Sequence, residues 1–202
     1  MARPTISRVG HREQLLVAAR RLLEERGYAH ITTRDLVAAS DTNLASIGYH
    51  FGSKAALLNA AIDAAFEEWS EQLASLVMAD PQATPIQRGV ATWVAVLESL
   101  PQRQPILRAY FEALAQSQRT PELRDQLAQH YRAARSRVAA LVAQSLGDGS
   151  SADDPRCRAI ATFVIATCDG LSIQWLLDPS DAPSPAELLD GLTVVWDASR
   201  IR

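Results

Sequence analysis

The chain has 202 residues, 48% apolar and 21% charged, so it can bury a sizeable core as one large domain or two small ones, and a disordered chain is excluded. No apolar run approaches the length of a bilayer span and no signal-peptide pattern opens the sequence, so the expectation is a cytoplasmic protein with no membrane partner. The net charge of −3 is unevenly spread: residues 1–54 hold eight Lys/Arg against five Asp/Glu, a net +3, and residues 55–202 hold twelve against eighteen, a net −6. A basic head on an acidic body suits docking of one end on phosphate, although ordinary scatter of surface charge gives similar counts.

Residues 1–7 read as an arm in which Arg3, with Arg8 just after it, is either solvated or available to a groove or a phosphate. A first helix is predicted over 8–26, with Leu15, Ala19, Leu22 and Leu23 on one stripe and Gly27 as its stop. Thr32 then caps a short helix over 33–39, with Asp35 placed for a capping box and Ile31 and Leu36 for a hydrophobic staple. Ser40, Asp41 and Thr42 make a turn, Asn43 caps a second short helix over 44–50, and Gly52 stops it. Two helices joined by so tight a turn predict a helix-turn-helix, which braces its second helix for the major groove. Leu36, Val37 and Ile47 would hold the pair together, leaving Asn43, Ser46, Tyr49 and His50 on the polar side.

Ser53 opens a long helix over 53–78, with Leu58, Ile62, Ala65, Trp69, Leu73 and Leu76 facing inward. Lys54 in its first turn, beside free backbone N–H groups, suits a phosphate, or is a solvated surface lysine. Helices are then predicted over 86–100 and 106–117, divided by Pro101 and Pro105, and over 121–146. Residues 147–155 form a loop. The helix over 155–177 is apolar nearly all round, with Asp169 inside it, either in contact with a ligand or partner or turned to solvent near Gly170. A last helix is predicted over 185–199. The expected class is all-α with nine helices. Cys157 and Cys168 lie about 16 Å apart along one helix, too far for a disulfide.

The run TTRDLVAASDTNLASIGYHFGSKAALL, residues 32–58, resembles the DNA-binding segment of TetR-type transcriptional regulators, and REQLLVAARRLLEERGY before it resembles that family's first helix. Thr32, Leu36, Ile47, Tyr49, His50, Phe51, Lys54 and Leu57 fall in register, while Asp41 stands where the family commonly has Gly and Val37 where it usually has Ala. The resemblance implies a helix-turn-helix DNA-binding domain over 1–52 and a helical effector-binding and dimerisation domain over 53–202. It implies backbone contacts from Thr33, Arg34, Tyr49, His50 and Lys54, and base reading from Asn43, Leu44, Ala45 and Ser46. The implied partners are a palindromic duplex operator, a second copy of the chain packed through helices over 155–177 and 185–199, and a small apolar effector that releases a repressor from DNA.

Candidate residues for the effector are Phe66, Trp69, Trp93, Tyr110, Phe111, His130, Phe163, Cys168 and Trp175, any one of which is also a plausible member of a filled core. Hydrolase, metalloprotease, P-loop, dinucleotide and C-x-x-C motifs are all missing from the sequence, and the four His have no metal-ligand spacing. The expectation is therefore a non-enzymatic protein with no catalytic residue, metal or cofactor. The alternative is a helical ligand-binding or interaction module whose helix-turn-helix is purely structural.

Overall fold

A computed structural model describes residues 10–184, 186–188, 190–192 and 194. Seven helices run through them: α1 (His11–Arg26), α2 (Thr33–Ser40), α3 (Leu44–Phe51), α4 (Lys54–Val77), α5 (Pro85–Ser117), α6 (Pro121–Leu146) and α7 (Pro155–Leu177). The described residues beyond Ser184 are helical as well, and no strand occurs among the described residues. The all-α expectation holds. The helix expected over 185–199, with residues 1–7 of the arm, lies partly or wholly outside the described residues.

Local chemistry sets most of the boundaries. Thr84 and Gln87 cap one another ahead of Pro85, which occupies the first position of α5, where its missing N–H costs nothing. Asp154 does the same for α7: its Oδ1 accepts from Arg156 N at 2.8 Å, with Pro155 following. Ser53 Oγ accepts from Ala56 N at 3.1 Å and starts α4.

One expectation fails. Pro101 and Pro105 do not divide two helices; α5 runs through both for 33 residues. Each proline removes the N–H that would bond the carbonyl four residues back, so the carbonyls of Leu97 and Pro101 lose helical partners, at a usual cost of about 3 kcal/mol per proline. The flanking side chains explain why the helix survives. Val96, Leu97 and Leu100 on one side and Ile106, Leu107 and Tyr110 on the other are all buried, and packing of that extent outweighs local propensity.

The chain divides into two compact units, Met1–Glu67 with Pro105–Ala128, and Glu68–Gln104 with Gln129–Arg202. The first has a core of large aliphatics, among them Leu15, Leu23, Ile31, Leu36, Leu57, Leu58, Ile62 and Leu107. In the second, Ala139, Ala143, Cys157 and Ala161 form a small-residue core, with Val138, Val142, Leu146 and Ala152 packed around it. Leu76, expected inward on α4, is exposed. The two cysteines are free thiols.

Another sequence expectation is corrected on α7, which is long and apolar enough by length and composition to cross a membrane, although only 17% of its most apolar window is buried. Asp169 interrupts it near the middle, and its apolar exposed side is the kind of surface that a partner helix covers.

Candidate nucleic-acid interface

The head is fixed by its caps. Thr32 Oγ1 accepts from Asp35 N at 3.2 Å, and Asp35 Oδ2 accepts from Thr32 N at 2.8 Å, a reciprocal capping box at the start of α2. The Thr32 hydroxyl, then its backbone N–H, hold the Asp35 carboxyl below its ordinary range, and Arg26 adds an ion pair at 3.0 Å. At the other end of α2, Asp41 adopts φ 52° and ψ 41°, the left-handed conformation that Asp tolerates better than most residues. Asp41 thus fills the role usually given to Gly, and the turn closes. Asn43 Oδ1 then accepts from Ser46 N at 3.0 Å and starts α3.

This turn aims α3 with one side in and one side out. Ile47 is buried on the inner side together with Leu36 of α2. On the outer side Asn43, Ala45 and Gly48 are exposed, with Leu44 67% and Tyr49 86% exposed. His50 is half-buried and its ring meets that of Tyr49 edge-on, centroids 4.8 Å apart. On α2, Arg34 is exposed and Thr33 half-buried. Arg12 of α1 lies over the Phe51 ring at 5.4 Å.

Two predicted contact residues sit otherwise than expected. Ser46 is on the inner side, only 7% exposed, with its hydroxyl 3.2 Å from Asn43 Oδ1 and 3.3 Å from His11 Nδ1. Its position next to Ile47 turns it toward α1, where His11 meets it, so it belongs to the packing of the head rather than to the outer face. Lys54 is half-buried, and its Nζ donates to the Ile31 carbonyl at 2.8 Å. That bond pins the start of α4 to the residue before the capping box and leaves the ammonium two further donors.

A second polar set, missed by sequence reasoning, holds the turn between α1 and α2. Glu112 of α5 accepts from Tyr28 N at 2.7 Å and from Ala29 N at 3.2 Å. Gly27 makes room for it: a Cβ there would stand 2.9 Å from Glu112 Oε1, and φ is +74°. The Tyr28 hydroxyl donates to Asn59 Oδ1 at 3.0 Å, and Asn59 Nδ2 donates in turn to Gln126 Oε1. Burial pushes the Tyr28 hydroxyl up to about 12 against the opposing Asn59 bond. The head is thereby tied by hydrogen bonds to α4, α5 and α6. These partners are 31 to 84 residues apart in sequence, so no local signal marks them.

The nine aromatic and polar residues proposed for an effector do not fall in one unit. In the first, the Phe66 ring lies 5.0 Å from Tyr110, which lies 5.3 Å from Phe111. In the second, Trp69 is buried, with Nε1 donating to Ser99 Oγ at 3.1 Å and Arg103 over its ring at 5.8 Å. Buried Trp93 meets Phe163 edge-on at 6.1 Å, yet Phe163 is itself 58% exposed. His130 lies beside Tyr131, Cys168 and Trp175 are half-buried, and Tyr131 Oη donates to Asp169 Oδ2 at 2.7 Å. Burial raises the Asp169 carboxyl above its ordinary range, opposed by the Tyr131 bond and by His130. Burial, reinforced by the Asp169 charge, pushes the Cys168 thiol up to about 12. Asp169 is thus neither turned fully to solvent nor ion-paired with Lys or Arg among the described residues.

Comparison with known proteins agrees with this geometry. Residues 15–61 match the family model for bacterial regulatory proteins of the tetR family, and residues 85–195 match that for the C-terminal region of BetI-type transcriptional repressors. The HTH-type transcriptional regulator EthR of Mycolicibacterium smegmatis is 28% identical over 185 residues, covering 90% of this chain and 82% of that protein. A candidate transcriptional regulator from Pseudomonas aeruginosa PAO1 shares the fold, with a TM-score of 0.70, 18% identity, and coverage of 96% of this chain and 94% of that one. The multidrug binding protein EbrR, solved with imidazole, is similar at TM-score 0.62 and 26% identity, over 87% of this chain and 89% of that one.

Proposed function

The chain belongs to the TetR family of transcriptional regulators, and from that premise we propose that it is a cytoplasmic homodimeric repressor that leaves a palindromic operator when a small molecule binds its helical body. The observation that carries this reading is the two-sided character of α3. Its inner side, Ser46 and Ile47, is buried, and its outer side, Leu44 and Tyr49 above all, stands in water. A rod held this way at its N-terminal end suits the width of the major groove. Thr33, Arg34, Tyr49, His50 and Lys54 serve the phosphate backbone, which positions the head, and Asn43, Leu44 and Ala45 face the base edges. In this reading residues 1–52 are the DNA-binding domain and 53–202 the effector-binding and dimerisation domain.

Dimerisation is supported by α7. Ala159, Ile160, Phe163, Ala166, Ile173 and Leu177 are exposed at intervals of three to four residues or multiples of them, Leu177 at 81%. A stripe of that kind pairs with its own copy about a two-fold axis. Two heads related by the axis then meet half-sites about 34 Å apart, or a multiple of that spacing. The effector is assigned to the aromatic residues of the helical body, a reading supported by the imidazole complex of EbrR. Release follows from linkage: an effector that binds one arrangement of the body better disfavours the arrangement the operator needs.

The deciding experiment is fluorescence anisotropy of duplexes chosen by binding-site selection, run over a salt series. A regulator loses affinity steeply between about 50 and 200 mM salt, and keeps a preference of about a thousand-fold or more for the selected site over a scrambled one. Equal affinity for both duplexes at every salt concentration would leave a structural helix-turn-helix as the better reading.

A further inference from the structure

The chemistry of the outer face of α3 restricts what kind of half-site it can read. Three observations bear on it. First, α3, with the sequence LASIGYHF, carries no Arg or Lys, so it lacks the side chains that most often read guanine by two parallel hydrogen bonds. Second, its polar side chains near the N-terminus are already engaged. Ser46 is buried against His11 and Asn43, and Asn43 Oδ1 accepts from both Ser46 N and Ser46 Oγ. Asn43 therefore keeps only its Nδ2 donors for a base and cannot present the donor–acceptor pair that recognises adenine. Third, between exposed Asn43 and Tyr49, the latter given above to the phosphate backbone, what stands out into water is apolar and small: Leu44, Ala45 and, one turn after Leu44 on the same face, Gly48.

Gly48 has no role inside the head. A Cβ built on it has no atom within 4 Å, its φ is not positive, and a glycine in mid-helix weakens the helix. Its effect lies outward. Without a side chain at the centre of the exposed face, the helix axis can approach the groove floor by the depth of a methyl group. The short side chains of Leu44 and Ala45 then reach the base edges. The only apolar group those edges present in the major groove is the C5-methyl of thymine.

We propose that α3 reads its half-site chiefly through thymine C5-methyl groups, met by Leu44 and Ala45 on a helix that Gly48 lets close to the groove floor, with Asn43 Nδ2 as its single hydrogen-bonding base contact. The proposal rests on the DNA-binding reading above and adds the chemical class of the base pairs recognised.

The test uses the full chain and the half-site returned by selection from random duplexes. Each thymine is replaced in turn by deoxyuridine, which removes the methyl and nothing else. At two or more thymines per half-site the replacement weakens binding about four-fold, the effect of burying one carbon group. Leu44→Ala, which changes an exposed side chain and leaves the head folded, binds the thymine and deoxyuridine duplexes equally at one of those positions. Gly48→Ala binds every duplex more weakly while melting at the same or a higher temperature. Deoxyuridine without effect at every position, or a loss unchanged in Leu44→Ala, overturns the proposal while leaving the regulatory reading intact. A selection that returns no preferred sequence overturns both.

Discussion

Both α3 and α7 leave apolar side chains in water, and they do so in opposite ways. On α3 the exposed Leu44 and Ala45 sit in a single turn, with Asn43 before them and Tyr49 after, on a helix of eight residues that a cap holds in place. On α7 the exposed apolar residues form a stripe from Ala159 to Leu177, broken between Ala166 and Ile173 by half-buried Asp169 and Gly170. A small apolar patch inside a polar frame matches a groove that is itself mostly polar, with isolated methyl groups. A long stripe with a single polar break matches another helix with the same stripe. The contrast separates the two partners proposed for the chain, DNA and a second copy, by surface chemistry alone.

The largest effect that would break this contrast comes from a charge on the α7 stripe. Phe163→Glu places two carboxylates at a two-fold interface, and each removes an aromatic anchor worth about 2 kcal/mol or more. The loss per dimer is then about 4 kcal/mol, and sedimentation velocity at micromolar concentration should show monomer. The head should stay folded and bind a single half-site weakly. A variant that remains a dimer would move the interface off α7.

The head is sensitive to a different change. Leu36 is fully buried beneath the helix-turn-helix, and Leu36→Ala should cost about 2–5 kcal/mol by cavity formation. Chemical denaturation followed by circular dichroism should show early loss of the first unit, while fluorescence of the four tryptophans, all in the second unit, follows that unit alone. Self-association through α7 should survive at protein concentrations where the second unit is still folded. If both properties fail together, the two surfaces are not independent.

Much of this was legible in the sequence because it is local chemistry. Thr32 with Asp35, Asn43, Ser53 and Gly52 announced their helix ends, and the structure shows each bond or stop in place. The left-handed Asp41 was foreseeable because a short polar side chain tolerates that conformation. What stayed hidden depends on distant partners. Pro101 and Pro105 read as breaks because local propensity does not register the buried residues on either side of them. Ser46 read as a surface residue because nothing in its own helix announces His11 from α1. Glu112 was invisible as a support of the head, being 84 residues from Tyr28, whose backbone N–H it accepts. The spacing of Gly27 and Tyr28 after α1 carries no sign that a carboxylate will fill the turn.

The smallest of the expected effects concerns Asp169, the one acidic or basic residue between Arg158 and Asp178. Burial raises the Asp169 carboxyl above its ordinary value of 3.8, while Tyr131 and His130 oppose the shift. A folded-state acid raised in this way binds its proton more firmly than the unfolded chain does. Its contribution therefore favours the folded state at low pH and turns against it as pH rises from the ordinary value through the raised one. Asp169→Asn keeps an acceptor for the Tyr131 hydroxyl and removes the charge. At neutral pH and fixed protein concentration it should raise Tm by a few degrees, with the gain disappearing below pH 4. The sign is what makes the measurement useful. If a cation from a second copy or from an effector meets Asp169, the carboxylate is stabilising in that state, and Asp169→Asn lowers Tm instead. Running the two melts above and below the dimer dissociation constant, with no effector added, separates these sources. A gain in the monomer that becomes a loss in the dimer places a basic group of the partner against Asp169, and the apolar stripe of α7 then has a charged contact beside it.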